Sequence, residues 1–451
     1  MILRNLQLNG KDRRELHGKL FHGADRGAHA SLTLSNISTS FDDDDETDDA
    51  ACGRHRSKSP GAGSLNCDFL METDPERDSI GESRIEELTI ERCRLDLEGA
   101  RVLGKALESS CSAVSGLRSL KMDGVVFSDG GCSLNESGLL LPILEGIASA
   151  RGGSPEAIEL RRVPLPAAPE LRRRFFAALG RCKNLRSLRL VNCDVRTEDA
   201  PGLAEAIASL SDTLKSLDLS RNDVDGSGLK TLLEEGLRGH GSLERLILSH
   251  NPIGDDGAIH LSRFFSRASN HSTARAAATA TTTDSNEHAR TRISSLWLVD
   301  CDTWSAGCSA LSEGLRDFDT LSELVVDGEW DNHLGAVLES LRTNVVLKQL
   351  WIVSTDHPCC GDDSGSDDEA PDHERILLRE QIDYYLALNR AHRRVSVEPG
   401  LSFRLWPTVL AGPPGGGEGP PRGTPSKAAA ANANLWYHLL QRRPELVAAA
   451  E

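Results

Sequence analysis

Between Leu185 and Leu261 the apolar and polar positions follow one pattern that returns three times. Leu185, Leu188 and Leu190 lead to Cys193 and Val195; Leu214, Leu217 and Leu219 lead to Asn222 and Val224; Leu243, Leu246 and Leu248 lead to Asn251 and Ile253, in steps of 29 residues. The paired leucines, two apart, face one side of a short strand, and the segment around Gly202, Gly228 and Gly257 has the spacing of a helix stripe. A single unit of this size cannot enclose its own apolar face. Units must therefore stack, with the strands in one parallel sheet and the helices covering its other side. The Asn or Cys that closes each strand sits where the chain turns inward and leaves backbone groups needing buried partners. An Asn amide supplies both a donor and an acceptor, whereas a buried thiol is a weaker substitute.

The same frame extends in both directions. Residues 1–40 read as two degenerate units, in which Leu3, Leu6 and Leu8 are followed 26 residues later by Leu32, Leu34 and the Asn36-Ile37 turn. The chain thus begins almost on a strand, so either another segment or partner covers that edge or the natural protein starts earlier. An acidic, Gly- and Ser-containing insertion, expected to be disordered, occupies 41–82. The array proper spans 83–355, with units opening at Ile85, Leu117, Ile158, Leu185, Leu214, Leu243, Ile293, Leu321 and Leu347. Within it, the polar, Ala/Thr-rich stretch 266–291 is expected to be a disordered loop. Residues 356–373 form an acidic loop. Residues 374–410 are expected to be a helical cap, with Ile376, Leu377, Ile382, Tyr385, Leu386 and Leu388 in helical phase. A flexible linker at 411–431 and a terminal helix at 432–451 complete the chain.

The L-x-x-L-x-L-x-x-N/C-x-L spacing resembles leucine-rich repeats, and the 28- to 29-residue unit with a full helix resembles their ribonuclease-inhibitor-like class. That resemblance is close from Leu185 to Leu261, looser from Ile85 to Ile352, and absent in the insertions. It implies an α/β solenoid, a horseshoe with a parallel sheet on the concave face, helices on the convex face and a helical C-terminal cap. The class includes ribonuclease inhibitor, the Ran GTPase-activating proteins and the sensor regions of NOD-like receptors, and implies a face used mostly for binding proteins. The tail, with Leu388-Asn389-Arg390, Trp406-Pro407 and Leu439-Leu440, resembles a C-terminal module of uncharacterised repeat proteins of protists. No activity comes with that second resemblance.

Composition changes this picture little. The chain has 451 residues, 39% hydrophobic and 4% aromatic, as expected where identical leucine slots are filled repeatedly. Its net charge of −17 is concentrated: Asp42 to Asp49 and Asp362 to Glu374 each hold seven acidic residues. The repeat body is therefore close to neutral and carries no basic stripe, which argues against nucleic acid. Two readings of the acidic stretches stay open: they keep the insertions solvated, or they attract a partner with a basic segment, with Ser364 and Ser366 as phosphorylation candidates. Neither a signal-peptide run nor a membrane-spanning run is present, so no membrane is expected, and the expected compartment is the cytoplasm, with the nucleus as a second option. Eleven cysteines without metal-ligand spacing fit free thiols, so no metal and no cofactor are expected.

Catalytic signatures are missing. Gly99 to Ala106 nearly spells a phosphate-binding loop, but Ala106 lacks the hydroxyl that would hold magnesium, and Leu103 and Leu107 belong to a helix stripe. The chain is expected not to be an enzyme. The residue between the two strand leucines faces outward. Taken unit by unit it gives Thr89, Lys121, Glu159, Arg189 and Asp218, then Ile247, Trp297, Val325 and Trp351. The outward residue two places on ends with Val299, Asp327 and Val353. Ile247, Trp297, Val299, Val325, Trp351 and Val353 should therefore form one apolar patch for a protein partner. The chain's own insertion after Phe265, or the helices around Tyr385 and Trp436, could instead fold over it. Cys93, Cys193, Asn222, Asn251 and Cys301 are expected to form a structural turn ladder. The runner-up function, a regulator of a small GTPase, follows from the Ran-related members of the class alone; an innate-sensor fragment is a third.

Overall fold

Alternation of a covered and an open side chain carries the repeat strands at 31–35, 87–91, 119–123, 157–161 and 187–191. The computed structural model describes residues 2–4, 7–8, 31–35, 38–39, 85–109, 114, 116–127, 140–150, 153–277, 292–353 and 373–390. The fold is an α/β leucine-rich-repeat solenoid. It divides into two compact units, Met1–Asn251 with His288–Thr291, and Pro252–Glu287 with Arg292–Glu451.

In the first unit the strands are β1 (Ile2–Arg4), β2 (Ser31–Ser35), β3 (Glu87–Glu91), β4 (Ser119–Asp123), β5 (Ala157–Arg161), β6 (Ser187–Val191), β7 (Ser216–Asp218) and β8 (Arg245–Ile247). Each lies parallel to the next in chain order. One correction concerns the start. Leu3 lies opposite Leu34, and Leu8 lies on a separate short strand, Gln7–Leu8, paired with Ser38–Thr39, so the 26-residue step does not hold.

The helices of this unit are α1 (Leu97–Glu108), α2 (Leu140–Ala148), α3 (Pro169–Gly180), α4 (Ala200–Ala208) and α5 (Gly226–Thr231), which continues into a π-helical turn, Leu232–Gly236. Each packs on its neighbour. Asp96 caps α1 by accepting from the Gly99 amide at 2.8 Å, and Asp225 caps α5 by accepting from the Ser227 and Gly228 amides, both at 2.9 Å. The Gly228 bond is the main reason the Asp225 carboxyl is held below the usual range. The apparent phosphate loop lies inside α1, where a Cβ on Gly104 would collide with the Pro142 carbonyl and one on Gly146 with the Gly104 carbonyl. These glycines serve the close approach of two helices.

The second unit comprises α6 (Gly254–Ala277), β9 (Ser295–Leu298), α7 (Ser305–Gly314), β10 (Glu323–Asp327), α8 (Leu334–Leu341), β11 (Gln349–Val353) and α9 (His373–Arg390). Strands β9, β10 and β11 are parallel, and α6 to α9 pack in succession. Asp255 of α6 accepts from the Trp304 and Gly307 amides at 2.7 and 2.8 Å, capping the following helix from its neighbour. Helix α6 also corrects an expectation: it runs on through Ser266–Ala277, into the stretch expected to be a loop. That part holds no Gly or Pro and is rich in Ala and Arg, so intrinsic propensity extends the helix although the apolar stripe has ended. The rest of that stretch, residues 41–82 and 356–372, residues 391–410 of the expected cap, the linker and the terminal helix lie outside the described residues.

Helix α9 occupies His373–Arg390 of the stretch 374–410 expected to be a helical cap. Ile382, Tyr385 and Leu386 are buried, whereas Ile376 and Leu377 are exposed, so only the C-terminal half of the apolar stripe packs. The polar Asn389 is buried beside them and donates to the Asn344 and Leu347 carbonyls at 3.0 and 2.8 Å.

Candidate functional site

The turn ladder shows why Asn and Cys recur. Asn222 Oδ1 accepts from the Cys193 and Val195 amides at 3.0 and 3.1 Å, while its Nδ2 donates to the Leu190 and Leu219 carbonyls at 2.6 and 2.8 Å. Asn251 repeats this one unit on, donating to Leu219 and Leu248 and accepting from Val224. Cys193 donates its thiol to the Leu160 carbonyl at 3.2 Å, and Cys93 donates to Leu34 at 3.6 Å. Cys301 donates to Val299 at 3.6 Å. Burial pushes the Cys193 thiol up to about 12, which keeps the S–H proton available as a donor. The residue just before each ladder position, among them Arg162, Asn192, Arg221, His250 and Asp300, has positive φ.

On the open face of the first unit, Lys121, Glu159 and Arg189 lie side by side on β4, β5 and β6. Lys121 Nζ is 3.9 Å and Arg189 Nη1 3.6 Å from the Glu159 carboxylate, which Arg161 also pairs. Asp123 is engaged by Arg162 through two bonds of 2.9 Å, and Asp218 accepts from the Ser220 amide and hydroxyl. The charges on this face are thus answered by one another. Ile247 lies half-buried on β8 of this unit.

The second unit has a different face. Trp297, Val325 and Trp351 are direct neighbours on β9, β10 and β11, and Val353 is the neighbour of Asp327. Trp297, Trp351 and Val353 are 36%, 56% and 41% exposed, and Val299 is half-buried. Val325, expected to be exposed, is 5% exposed. Its partners in register on the two adjoining strands are the tryptophans Trp297 and Trp351. The Trp297 indole Nε1 donates to Ser295 Oγ at 3.1 Å, and Ser295 Oγ donates to Glu323 Oε2 at 2.6 Å, so a polar chain fixes that ring on the sheet.

Two features here had not been anticipated. Trp304, at the start of α7, is 62% exposed, while Trp330 is fully buried, so residue type alone did not separate anchor from core. Asp327 faces outward yet is 5% exposed, accepting from the Asp300 and Glu329 amides at 3.1 and 3.3 Å. Burial raises its carboxyl above the usual range, against the pull of those amides. Among the described residues no group of three or more His, Cys, Asp or Glu is placed to hold a metal ion, and no helix is long and apolar enough to cross a membrane.

A family model described as "Leucine Rich repeat" matches residues 211–233 and 242–262. The chain is similar to the ribonuclease inhibitor of Sus scrofa, 27% identical over 275 residues, covering 60% of this chain and 52% of that protein. It is also similar to the ribonuclease inhibitor of Mus musculus, 28% identical over 203 residues, covering 38% of this chain and 40% of that protein. The matched region thus takes in about half or less of those relatives' own lengths. A solved structure of a TLR13–ssRNA13 complex aligns with a TM-score of 0.33 and 14% identity, covering 78% of this chain and 40% of that one.

Proposed function

We infer that this chain, a ribonuclease-inhibitor-like leucine-rich-repeat protein, is a non-catalytic scaffold that holds an extended protein segment on the Trp297–Trp351 face of its second unit. The observation that carries this reading is the exposure of two tryptophans on either side of Val325. Contiguous apolar surface of this kind is costly to leave in water, and buried tryptophans commonly dominate interface energies. The named relatives are inhibitors of ribonucleases, and so by their names act on another protein.

The partner segment has apolar side chains that seat beside the indoles and a basic side chain nearby. Glu323 borders the tryptophan row, and the acidic stretch Asp362 to Glu374 follows β11 in the chain. Complementary charge of this sort raises association rates more than it raises affinity. The charged face of the first unit supports the same choice, since its side chains are already paired. Among the described residues the buried free thiols Cys182, Cys193 and Cys308 support the cytoplasm as the compartment.

The test is selection of displayed peptides on the full chain, followed by affinity measurement against Trp297→Ala and Trp351→Ala. Each substitution is expected to cost about 2 kcal/mol or more, roughly a thirtyfold loss. Peptides bound equally well by the double variant would overturn this placement. Stimulation of GTP hydrolysis across a GTPase panel would favour the alternative regulator.

A further inference from the structure

The last described strand, β11, has one side on which no described strand pairs with it. Its inward residues, Leu350 and Ile352, are only half-buried. In the strands from β3 to β10 the equivalent residues, from Leu88 and Ile90 to Leu324 and Val326, are at most 1% exposed. Among the described residues no strand continues the stack beside these two positions.

A second observation says where a next layer would come from. At the end of α8, the buried Asn344 donates to the Leu315 and Phe318 carbonyls at 2.5 and 3.1 Å. Its Oδ1 accepts from the Val346 and Leu347 amides, both at 2.8 Å, and so shapes the turn that leads into β11. His240 acts alike before β8, its Nδ1 accepting from the Leu243 amide at 3.2 Å. Asn389, at the end of α9, makes the same donations one unit on, to the Asn344 and Leu347 carbonyls. It is 1% exposed, yet its Oδ1 has no partner. By the Asn344 precedent, the donors it calls for are the amides of Ala391 and His392.

The spacing then selects the strand. Leu350 follows Asn344 by six residues, and Val395 follows Asn389 by six. Arg394-Val395-Ser396-Val397-Glu398 repeats the x-L-x-L-x alternation with β-branched residues at both inward positions, a composition suited to a strand. We propose that Arg394–Glu398 docks on the free edge of β11 as a further parallel strand, with Val395 and Val397 covering Leu350 and Ile352 and the turn into it set by Asn389. In this register Ser396 stands beside Trp351, and Glu398 beside Val353. The tryptophan row thereby gains a polar border, and an edge open to aggregation is closed. The array stops there for a local reason. Pro399 falls where Arg221, His250 and Asp300 have positive φ, a backbone state that proline cannot adopt.

In the established pairs the inward residue donates to the next strand, as the Leu219 amide does to the Ile247 carbonyl at 2.9 Å. The Leu350 and Ile352 amides would accordingly donate to the Arg394 and Ser396 carbonyls. Amide hydrogen exchange on the full chain tests this, compared with a chain ending at Arg390 and with Ser396→Pro, which removes a ladder amide and disfavours the strand. Arg404→Pro serves as a control, because Ser402-Phe403-Arg404-Leu405-Trp406 has a similar alternation. The Leu350 and Ile352 amides are expected to exchange about tenfold or more slowly in the full chain and in Arg404→Pro than in the other two. Unchanged Leu324 and Val326 amides would show that the unit stays folded. Equal exchange in all four chains would overturn the proposal. So would protection that Arg404→Pro abolishes and Ser396→Pro spares, which would assign the edge to the later segment. Protection that rises with protein concentration would overturn it in favour of a second copy of the chain.

Discussion

At the scale of single residues, the ladder amides carry the most concentrated interactions. Removing the Asn222 side chain strands the Cys193 and Val195 amides and the Leu190 and Leu219 carbonyls at once. Asn222→Ala is expected to destabilise by about 2–4 kcal/mol, and Asn222→Cys by less, since a thiol still donates as Cys193 does. Denaturant midpoints at constant m-value would check both. His240 predicts a pH dependence. Desolvation lowers its pKa to about 4 from 6.5, with Asp212 opposing. The unfolded chain takes up the proton first, so stability present above pH 6.5 is lost as pH falls towards 4, by on the order of 3 kcal/mol. His240→Asn, borrowing the acceptor used at Asn344, should flatten that slope. An unchanged slope would show that other groups cause it.

Elements are held by repeated close approaches. Gly104 and Gly146 let α1 and α2 touch through their backbones, so Gly146→Leu should cost 1–3 kcal/mol or more by overpacking, readable as a lowered Tm. On β11, where Trp351 is 56% exposed, the contrast runs the other way. Trp351→Ala should leave thermal stability within about 0.5 kcal/mol while weakening partner binding, whereas Trp330→Ala in the buried neighbouring turn should cost about 3–5 kcal/mol. Finding both substitutions equally destabilising would mean that Trp351 is held by the chain itself.

For the molecule as a whole, net charge matters more than any single ion pair. At −17 the chain favours association with basic partners, and the rate should fall as salt rises through the physiological range, where the screening length is about 8 Å. A rate insensitive to salt would remove the acidic stretches from the binding reaction. The buried pair of Arg172 with Asp199 lies in the interior of the first unit and is screened much less.

The strands, their parallel order and the Asn/Cys ladder were legible in the sequence because a 29-residue period places the same residue in the same environment unit after unit. The outward columns were legible too, since side chains alternate along a strand, and four of the six proposed contact residues, Trp297, Val325, Trp351 and Val353, fall on neighbouring strands of the second unit. Exposure was not legible. Val325 is hidden and Trp351 open although both occupy the same column, because accessibility depends on the size of the side chains on adjoining strands. The burial of Asn344 and Asn389 was equally beyond periodicity, since each amide serves carbonyls of a neighbouring unit. Local spacing determined which residues face which way; the contacts between units, made only when strands and helices stack, decided which of them remain free to bind.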